Sequence, residues 1–325
     1  MSVLVVGGAG YIGSHVVRLL SEAGTDVVVV DDLSTSSRER VAGVPLVELD
    51  VAAFDATARL GQVIRDHDVD AVIHFAAKKQ VGESVARPLY YYQQNVGGLV
   101  NLLAAMEQEG VSSIIFSSSA AVYGESLDPV VDESAPTNPI NPYGATKLVG
   151  EWLLSDCERA WGLRWVALRY FNVAGTGWPE LSDTAVMNLI PMVLERLVAG
   201  EAPRIFGDDY ETPDGTCIRD YVHVADLAAA HVAALEALRD GLPSTVFNVG
   251  TGAGSSVTEV IDAVEQVSGI DIAPLVEPRR PGDPPSLVAN ADLIESRLGF
   301  RARRGLGEIV ESAWRAWARP EADAS

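Results

Sequence analysis

Val3-Leu4-Val5-Val6-Gly7-Gly8-Ala9-Gly10-Tyr11-Ile12-Gly13 decides the fold. Four consecutive apolar residues read as a strand buried on both faces. The run passes directly into glycines at 7, 10 and 13, then into a helical pattern through Leu20. This spacing differs by one residue from the common dinucleotide fingerprint, but the physical demands are alike. A tight turn, close backbone approach to a pyrophosphate and close helix packing all need residues without a side chain. A strand before and a helix after give the glycines that meaning.

Working outward, a second strand at 27–30 ends in Asp31-Asp32. A carboxylate there accepts hydrogen bonds from ribose hydroxyls and repels a 2′-phosphate, which favours NAD over NADP. A capped acidic loop would use the same letters; the preceding glycines tip the reading toward the nucleotide. The alternation continues with strand 46–49 ending in Asp50-Val51, helix 54–66, strand 71–75, helix 95–108, strand 114–117, a helix from Pro142, and strand 165–168. Strands alternating with helices predict an α/β fold, a doubly wound parallel sheet with its ligand across the carboxyl-terminal edge. Small and polar residues crowd those strand ends: Asp31, Asp50, Ala76 with Lys79, Ser117-Ser118-Ser119, and Tyr170-Phe171-Asn172. They are expected to converge on one cleft.

After Asn172 the alternation weakens. A loop at 173–183 precedes helix 190–199, strand 204–207, helix 223–238, strand 245–249, helix 257–268, a strand near 273–276 and helix 306–317. The expected organisation is a Rossmann-like NAD-binding domain over 1–172, with about 221–250 rejoining it, and a smaller α/β lobe over 173–325. Residues 319–325 read as a loose tail.

Composition limits the partners. The 325 residues are 48% hydrophobic and 21% charged, enough for a real core. A formal charge of -21 repels phosphate backbones and anionic bilayers, so neither nucleic acid nor membrane is an expected partner. Cys157 and Cys217 form neither a disulfide framework nor a zinc pattern, which suits a reducing cytoplasm. His15, His67, His74, His223 and His231 lack metal-ligand spacing, so no metal is expected. In so acidic a chain a pyrophosphate needs cations, and Arg219, Arg279 and Arg280 are candidates because guanidinium forks match phosphate oxygens.

The chemistry is carried by Asn141-Pro142-Tyr143-Gly144-Ala145-Thr146-Lys147. Asn141 suits a helix N-cap and Pro142 the first helical position. Tyr143 and Lys147 then share one helix face. A phenol titrates near 10, so base chemistry near neutrality needs a shift of roughly 3 units, about 4 kcal/mol. One cation about 4 Å away supplies an energy of that order. Ser119, just past a buried strand, offers a hydroxyl that can hold a substrate oxygen while the phenol exchanges its proton. Such a pair is common on exposed helices, and three serines also suit a turn.

Together Gly7, Gly10 and Gly13, the strand-end Ser119, and Tyr143 with Lys147 resemble the extended short-chain dehydrogenase/reductase superfamily. The nearer likeness is to the UDP-glucose/UDP-galactose 4-epimerase family. It is carried by Gly7-Gly-Ala-Gly-Tyr-Ile-Gly-Ser-His15, His74-Phe-Ala-Ala-Lys-Lys-Gln-Val-Gly-Glu-Ser84, Phe116-Ser-Ser-Ser-Ala-Ala-Val-Tyr-Gly124, Arg169-Tyr-Phe-Asn172, Asp214-Gly-Thr-Cys-Ile-Arg-Asp-Tyr-Val-His223 and Pro278-Arg-Arg-Pro-Gly-Asp283. The resemblance implies reversible C4 epimerisation of a UDP-hexose through a transient 4-keto sugar, tightly bound NAD and a homodimer built from first-domain helices. It makes Tyr143 the acid/base, Lys147 the group that lowers its pKa and holds the nicotinamide ribose, and Ser119 an assistant at the sugar O4. Gly7, Gly10, Tyr11, Ile12, Asp31, Asp32, Asp50, Val51, Phe75, Ala76, Lys79, Asn95 and Ser117 are then expected at the NAD site, with Tyr170 beside the nicotinamide. Arg219 and Arg280 become diphosphate ligands and Asp283 a ribose or uridine contact. Lys79, Asn172, Asn188, Leu189, Phe206 and Tyr221 are expected to touch the nucleotide sugar. Only three lysines, Lys78, Lys79 and Lys147, stand against 21 arginines, and two fall at cofactor positions.

Two features depart from the family pattern. The loop 175–186 is shorter than in many relatives, and Leu287 is neither large and aromatic nor smallest where bulk governs room for an N-acetyl group. Two rival readings remain. A nucleotide-sugar dehydratase or decarboxylase would keep the oxidation, but a dehydratase needs an extra acid/base pair beside Ser119, where Ser118 and Ala120 stand. A non-catalytic NAD sensor would have no use for Tyr143, Lys147 and Ser119 together with the arginines.

Overall fold

The computed structural model describes residues 2–126, 128–183, 185–280 and 283–318. The tail expected at 319–325, and residues 281–282 of the arginine motif, lie outside the described residues. In chain order the elements begin with β1 (Ser2–Val6), α1 (Tyr11–Glu22), β2 (Asp26–Asp31), β3 (Leu46–Glu48), α2 (Ala56–Asp66) and β4 (Val69–His74). Two short helices, α3 (Val81–Ala86) and α4 (Pro88–Tyr91), lead through a wide π turn at Tyr92–Gly97 into α5 (Gly98–Glu109). β5 (Ser113–Ser117), β6 (Val130–Val131), α6 (Pro142–Trp161), β7 (Arg164–Tyr170) and β8 (Asn172–Ala174) follow. Then come α7 (Leu189–Val198), β9 (Arg204–Phe206), β10 (Ile218–His223), α8 (Val224–Arg239) and β11 (Thr245–Val249). β12 (Gly254–Ser256), α9 (Val257–Ser268), β13 (Leu275–Glu277), β14 (Ser286–Ala289), α10 (Asp292–Leu298) and α11 (Leu306–Trp317) complete the described residues.

The main sheet has the order β3-β2-β1-β4-β5-β7-β11, with every pairing parallel. Val5 of β1 is paired with Val29 on one side and Ile73 on the other, at the centre of the sheet. Both faces are apolar because both are covered. Val16, Val17 and Leu20 of α1 pack with Leu227 and Ala230 of α8 on one face. Leu60 of α2, Leu102 and Met106 of α5 and Leu154 of α6 cover the other. A smaller sheet is built around β10, which pairs with β8, β12 and β14, with β6 beyond β14. α7, α9 and α11 enclose a separate core over it around Ile190, Val260 and Ile309.

The differences from the sequence reading have local causes. The helix expected from Asn95 begins at Gly98, because residues 92–97 form the π turn that rotates Asn95 inward. β6, β8, β12 and β14 have two to four residues each, too few to display a period of two. β10 lies inside a stretch read only as a motif, and Arg219 and Asp220 within it mask a strand whose last four residues are buried.

Candidate active site

The carboxyl-terminal edge of the main sheet and the smaller lobe enclose one cleft of about 1860 Å³. Pockets for a single drug-sized ligand run about 300–1,000 Å³, so this one has room for two nucleotides.

At one end lies the turn after β1. Gly7 has φ +78°, and an added Cβ would stand 2.6 Å from the Ala76 nitrogen; one on Gly13 would stand 2.4 Å from the Gly7 oxygen. Those two glycines serve the packing of the protein itself. Gly10 has more room: its Cβ would meet only the Gly7 oxygen, at 3.3 Å, and like Gly7 and Gly13 it lines the cleft. Its missing side chain leaves ligand space. Gly10 also caps α1 without any side-chain acceptor, and the first turn holds no acidic residue. The first amides of α1 are therefore a binding edge for an anion such as a pyrophosphate. Tyr11 and Ile12 line this edge, and the Tyr11 hydroxyl donates to the Gly175 carbonyl.

Asp31 is buried, and its carboxylate accepts from Ala9 N, Leu33 N and Ser36 Oγ, each at 2.9 Å. A carboxylate offers about four acceptor positions, which leaves one for a ribose hydroxyl. Burial works against the charge of Asp32, but hydrogen bonds from Ser34 and the Lys78 ammonium hold its pKa below the usual value. Asp50, Val51, Phe75, Ala76 and Lys79 continue the wall. These features fit a dinucleotide with free ribose hydroxyls.

Two expected cofactor contacts stand outside that wall. Asn95 is spent on the backbone of Lys78, accepting from its N at 2.7 Å and donating to its O at 3.0 Å, with a second donation to Thr146. Ser117 is fully buried and turned toward His231. Neither lines the cleft.

At mid-cleft α6 begins as its sequence requires: Asn141 Oδ1 accepts from Gly144 N at 2.9 Å and Pro142 opens the helix. Tyr143 and Lys147 both line the cleft on its buried face. The Ser119 side chain accepts from Ala121 N at 3.1 Å, and Ser119 lines the cleft together with Tyr143. Lys147 Nζ donates to the Ser117 carbonyl at 2.7 Å and lies 6.0 Å from the Tyr143 ring centre. The expected electrostatics are corrected here. Burial raises the Tyr143 pKa, and the opposing influence is the neighbouring Ser119 hydroxyl rather than Lys147. The same burial lowers Lys147 to about 7, so near neutrality it is a partial charge only.

The other end faces the smaller lobe. Asn172, Asn188, Leu189, Phe206, Arg219, Tyr221, Arg280, Asp283 and Leu287 all line it. The Arg280 guanidinium lies 3.8 Å over the Phe206 ring, and Arg219 donates to Asp283 at 3.3 Å. Arg279 turns away, onto Asp209 and the Tyr210 ring.

The sequence reading missed a support behind the chemistry. Arg169 of β7 holds Glu151 of α6 through Nε–Oε1 at 2.9 Å and Nη2–Oε2 at 2.7 Å, both side chains buried. Ser118 Oγ donates to the same carboxylate at 2.5 Å. A signal existed: Glu151 stands one turn beyond Lys147 on the apolar side of its helix, where a charge demands a partner.

A sheet of this order, a glycine turn opening onto an uncapped helix, and a Ser-Tyr-Lys set at mid-cleft define a Rossmann-type NAD-dependent enzyme of the short-chain dehydrogenase kind. Residues 3–250 match the NAD dependent epimerase/dehydratase family. UDP-glucose 4-epimerase of Azospirillum brasilense is 50% identical over 317 residues, covering 96% of this chain and 90% of that one. The UDP-glucose 4-epimerase of Brucella ovis solved in complex with NAD superposes with a TM-score of 0.92 at 42% identity, over 97% of this chain and 98% of its own. That of Bifidobacterium longum, solved with NAD+ and UDP, gives 0.88 at 39% identity over 98% of each chain. The chain belongs to the NAD dependent epimerase/dehydratase family and, within it, to the UDP-glucose 4-epimerase family.

Proposed function

We propose that the protein interconverts UDP-glucose and UDP-galactose by reversible inversion at C4, using NAD and passing through a transient 4-keto sugar. The observation that carries this reading is the set of groups gathered in one cleft. A dinucleotide edge, a Ser119–Tyr143–Lys147 set and the cations Arg219 and Arg280 line it together. Tyr143 takes the O4 proton and later returns it, with the Ser119 hydroxyl holding O4. Lys147 holds the ribose next to the reacting carbon. Bound NAD supplies the hydride acceptor and donor for C4, and its oxidised ring brings the positive charge that favours the phenolate. The 4-keto sugar must present both faces, so the nucleotide is gripped through its diphosphate while the hexose is held loosely. Asp31 and Asp32 guard the ribose end, and Lys79, Asn172, Asn188, Leu189, Phe206, Tyr221 and Asp283 shape the space for UDP-sugar.

The deciding assay supplies UDP-galactose, and separately UDP-N-acetylgalactosamine, to the purified protein without added NAD and follows products by NMR. Formation of the gluco epimer is expected, and the two rates together read what Leu287 permits. No conversion, even with added NAD, would overturn the reading. Arg280→Ala should weaken UDP binding roughly 10- to 100-fold, the worth of one hydrogen bond to a charged group, with a smaller change in turnover. An unchanged UDP affinity by calorimetry would remove Arg280 from the diphosphate site.

The chain divides, on this reading, into the NAD-binding domain 1–172, with the segment through β11 returning to it, and a UDP-sugar lobe. It forms a homodimer through first-domain helices. Leu89, Tyr92, Val100 and Trp152 are exposed large apolar side chains of α4, the π turn, α5 and α6, which pack side by side. Light scattering that returned a monomer mass would refute this. A cytoplasmic location suits the two free cysteines; among the described residues no helix is long and apolar enough to cross a membrane.

A further inference from the structure

Lys147 is an amine placed where burial opposes its charge. The residue is 3% exposed, and its Nζ donates to the Ser117 carbonyl at 2.7 Å. No carboxylate answers it: among the described residues the one lysine ion pair is Lys78 with Asp32. Glu151, one turn along α6, is spent on Arg169 and Ser118. Of the helices packed against α6, α3 offers Glu83, which bonds Tyr91 of α4, and α5 offers Glu109, which pairs with Arg65. Aromatic rings face the ammonium instead. It stands over the Phe116 ring, 5.2 Å from its centre, and 6.0 Å from the centre of Tyr143. The face of such a ring carries negative potential, and its attraction for a cation grows where water is excluded.

Phe116 is held there from two sides. It is buried on β5, opposite His74 of β4 in register, and the two rings stack at 6.0 Å and 12°. Burial, then the Lys147 charge, lower the His74 pKa to about 3, so the imidazole is no second cation. On the α6 side Gly150 makes room: a Cβ there would stand 2.6 Å from Phe116 Cζ. A larger residue at 150 would displace the ring.

We propose that Phe116 is a positioning residue for Lys147: its ring face supplies the negative potential that keeps the buried amine a cation beside the Tyr143 phenol. This rests on the reading that Lys147 serves the acid–base step as a cation. A neutral amine still donates to a ribose hydroxyl but gives a phenolate no counter-charge. A carboxylate at the Phe116 position would also hold the ammonium, yet its negative charge would push the phenol pKa up. The ring favours the cation without adding a charge.

With only three lysines in the chain, the charge on Lys147 can be read directly. The holoenzyme, labelled with ¹³C at the lysine ε-carbons, is titrated by NMR as wild type, as Phe116→Leu, and with 3,5-difluorophenylalanine at position 116. Leucine removes the ring face; the fluorinated residue keeps the ring and weakens its negative potential. Phe116→Leu should lower the Lys147 pKa by about 0.4 to 1.5, the range a cation–π contact supplies, and leave Lys78 and Lys79 unmoved. The fluorinated protein should move it in the same direction by less. An unmoved or raised Lys147 pKa in the fluorinated protein overturns the proposal. That holds even if Phe116→Leu lowers it, because the effect then belongs to packing, and it holds if Phe116→Leu does not fold. If the wild type converts no UDP-galactose, the functional reading falls, while the titration still decides what the ring does to the lysine.

Discussion

Tyr143→Phe should fold, retain NAD and bind UDP, yet lose at least ~100-fold in turnover, the usual scale for removing a general acid–base group. The substitution deletes one oxygen from a buried ring on α6 and leaves the aromatic packing in place. The glycine turn and Asp31 at the dinucleotide end, Lys147 at mid-cleft, and Arg219 and Arg280 at the other end, are untouched. The loss should therefore fall on kcat rather than on binding. Released NAD per protomer, UDP affinity and the NMR rate of UDP-galactose conversion separate the two. Near-wild-type turnover would remove Tyr143 from the chemistry. Tyr170 is no ready substitute: burial, then the neighbouring Tyr143, push its pKa upward.

Glu151→Leu should cost about 3–5 kcal/mol of stability, because it leaves the Arg169 guanidinium buried without its counter-charge. The side chains of the pair are only 7% and 6% exposed, so water does not replace the lost partner. Domains of ordinary stability have roughly 5–15 kcal/mol in total, so the urea midpoint should fall far, at unchanged m-value. Removing both charges, Glu151→Leu with Arg169→Met, should recover most of that loss. The double variant should still turn over slowly. Glu151 anchors the helix that carries Tyr143 and Lys147, and it also receives Ser118, the neighbour of Ser119. A single variant that unfolds like the wild type would show that the bridge bears no weight.

The sequence by itself determined the main sheet. Val3–Val6 running into Gly7, Gly10 and Gly13, and the apolar strands at regular intervals after it, leave few topologies once crossovers are right-handed. It also determined Asn141 as the cap that starts α6, and therefore that Tyr143 and Lys147 share a face. These are local matters, governed by one residue's conformational preference or by a helical period. The short strands of the second lobe escaped because two to four residues carry no period, and their partners lie far away in the chain.

What surrounds each side chain was decided only by the tertiary structure. Three adjacent serines look equivalent as letters, yet Ser117 turns to His231, Ser118 to Glu151, and Ser119 caps Ala121 N at the cleft wall. Successive residues of an extended chain point in opposite directions, and which neighbours wait there depends on helices folded from residues tens to more than a hundred positions away. Asn95 braces the Lys78 backbone, away from the cleft lining, for the same reason. Spacing alone suggested that Lys147 would lower the Tyr143 pKa. Burial acts on both groups at once, raising the phenol and lowering the amine, and no spacing in a sequence reports how much water the fold excludes.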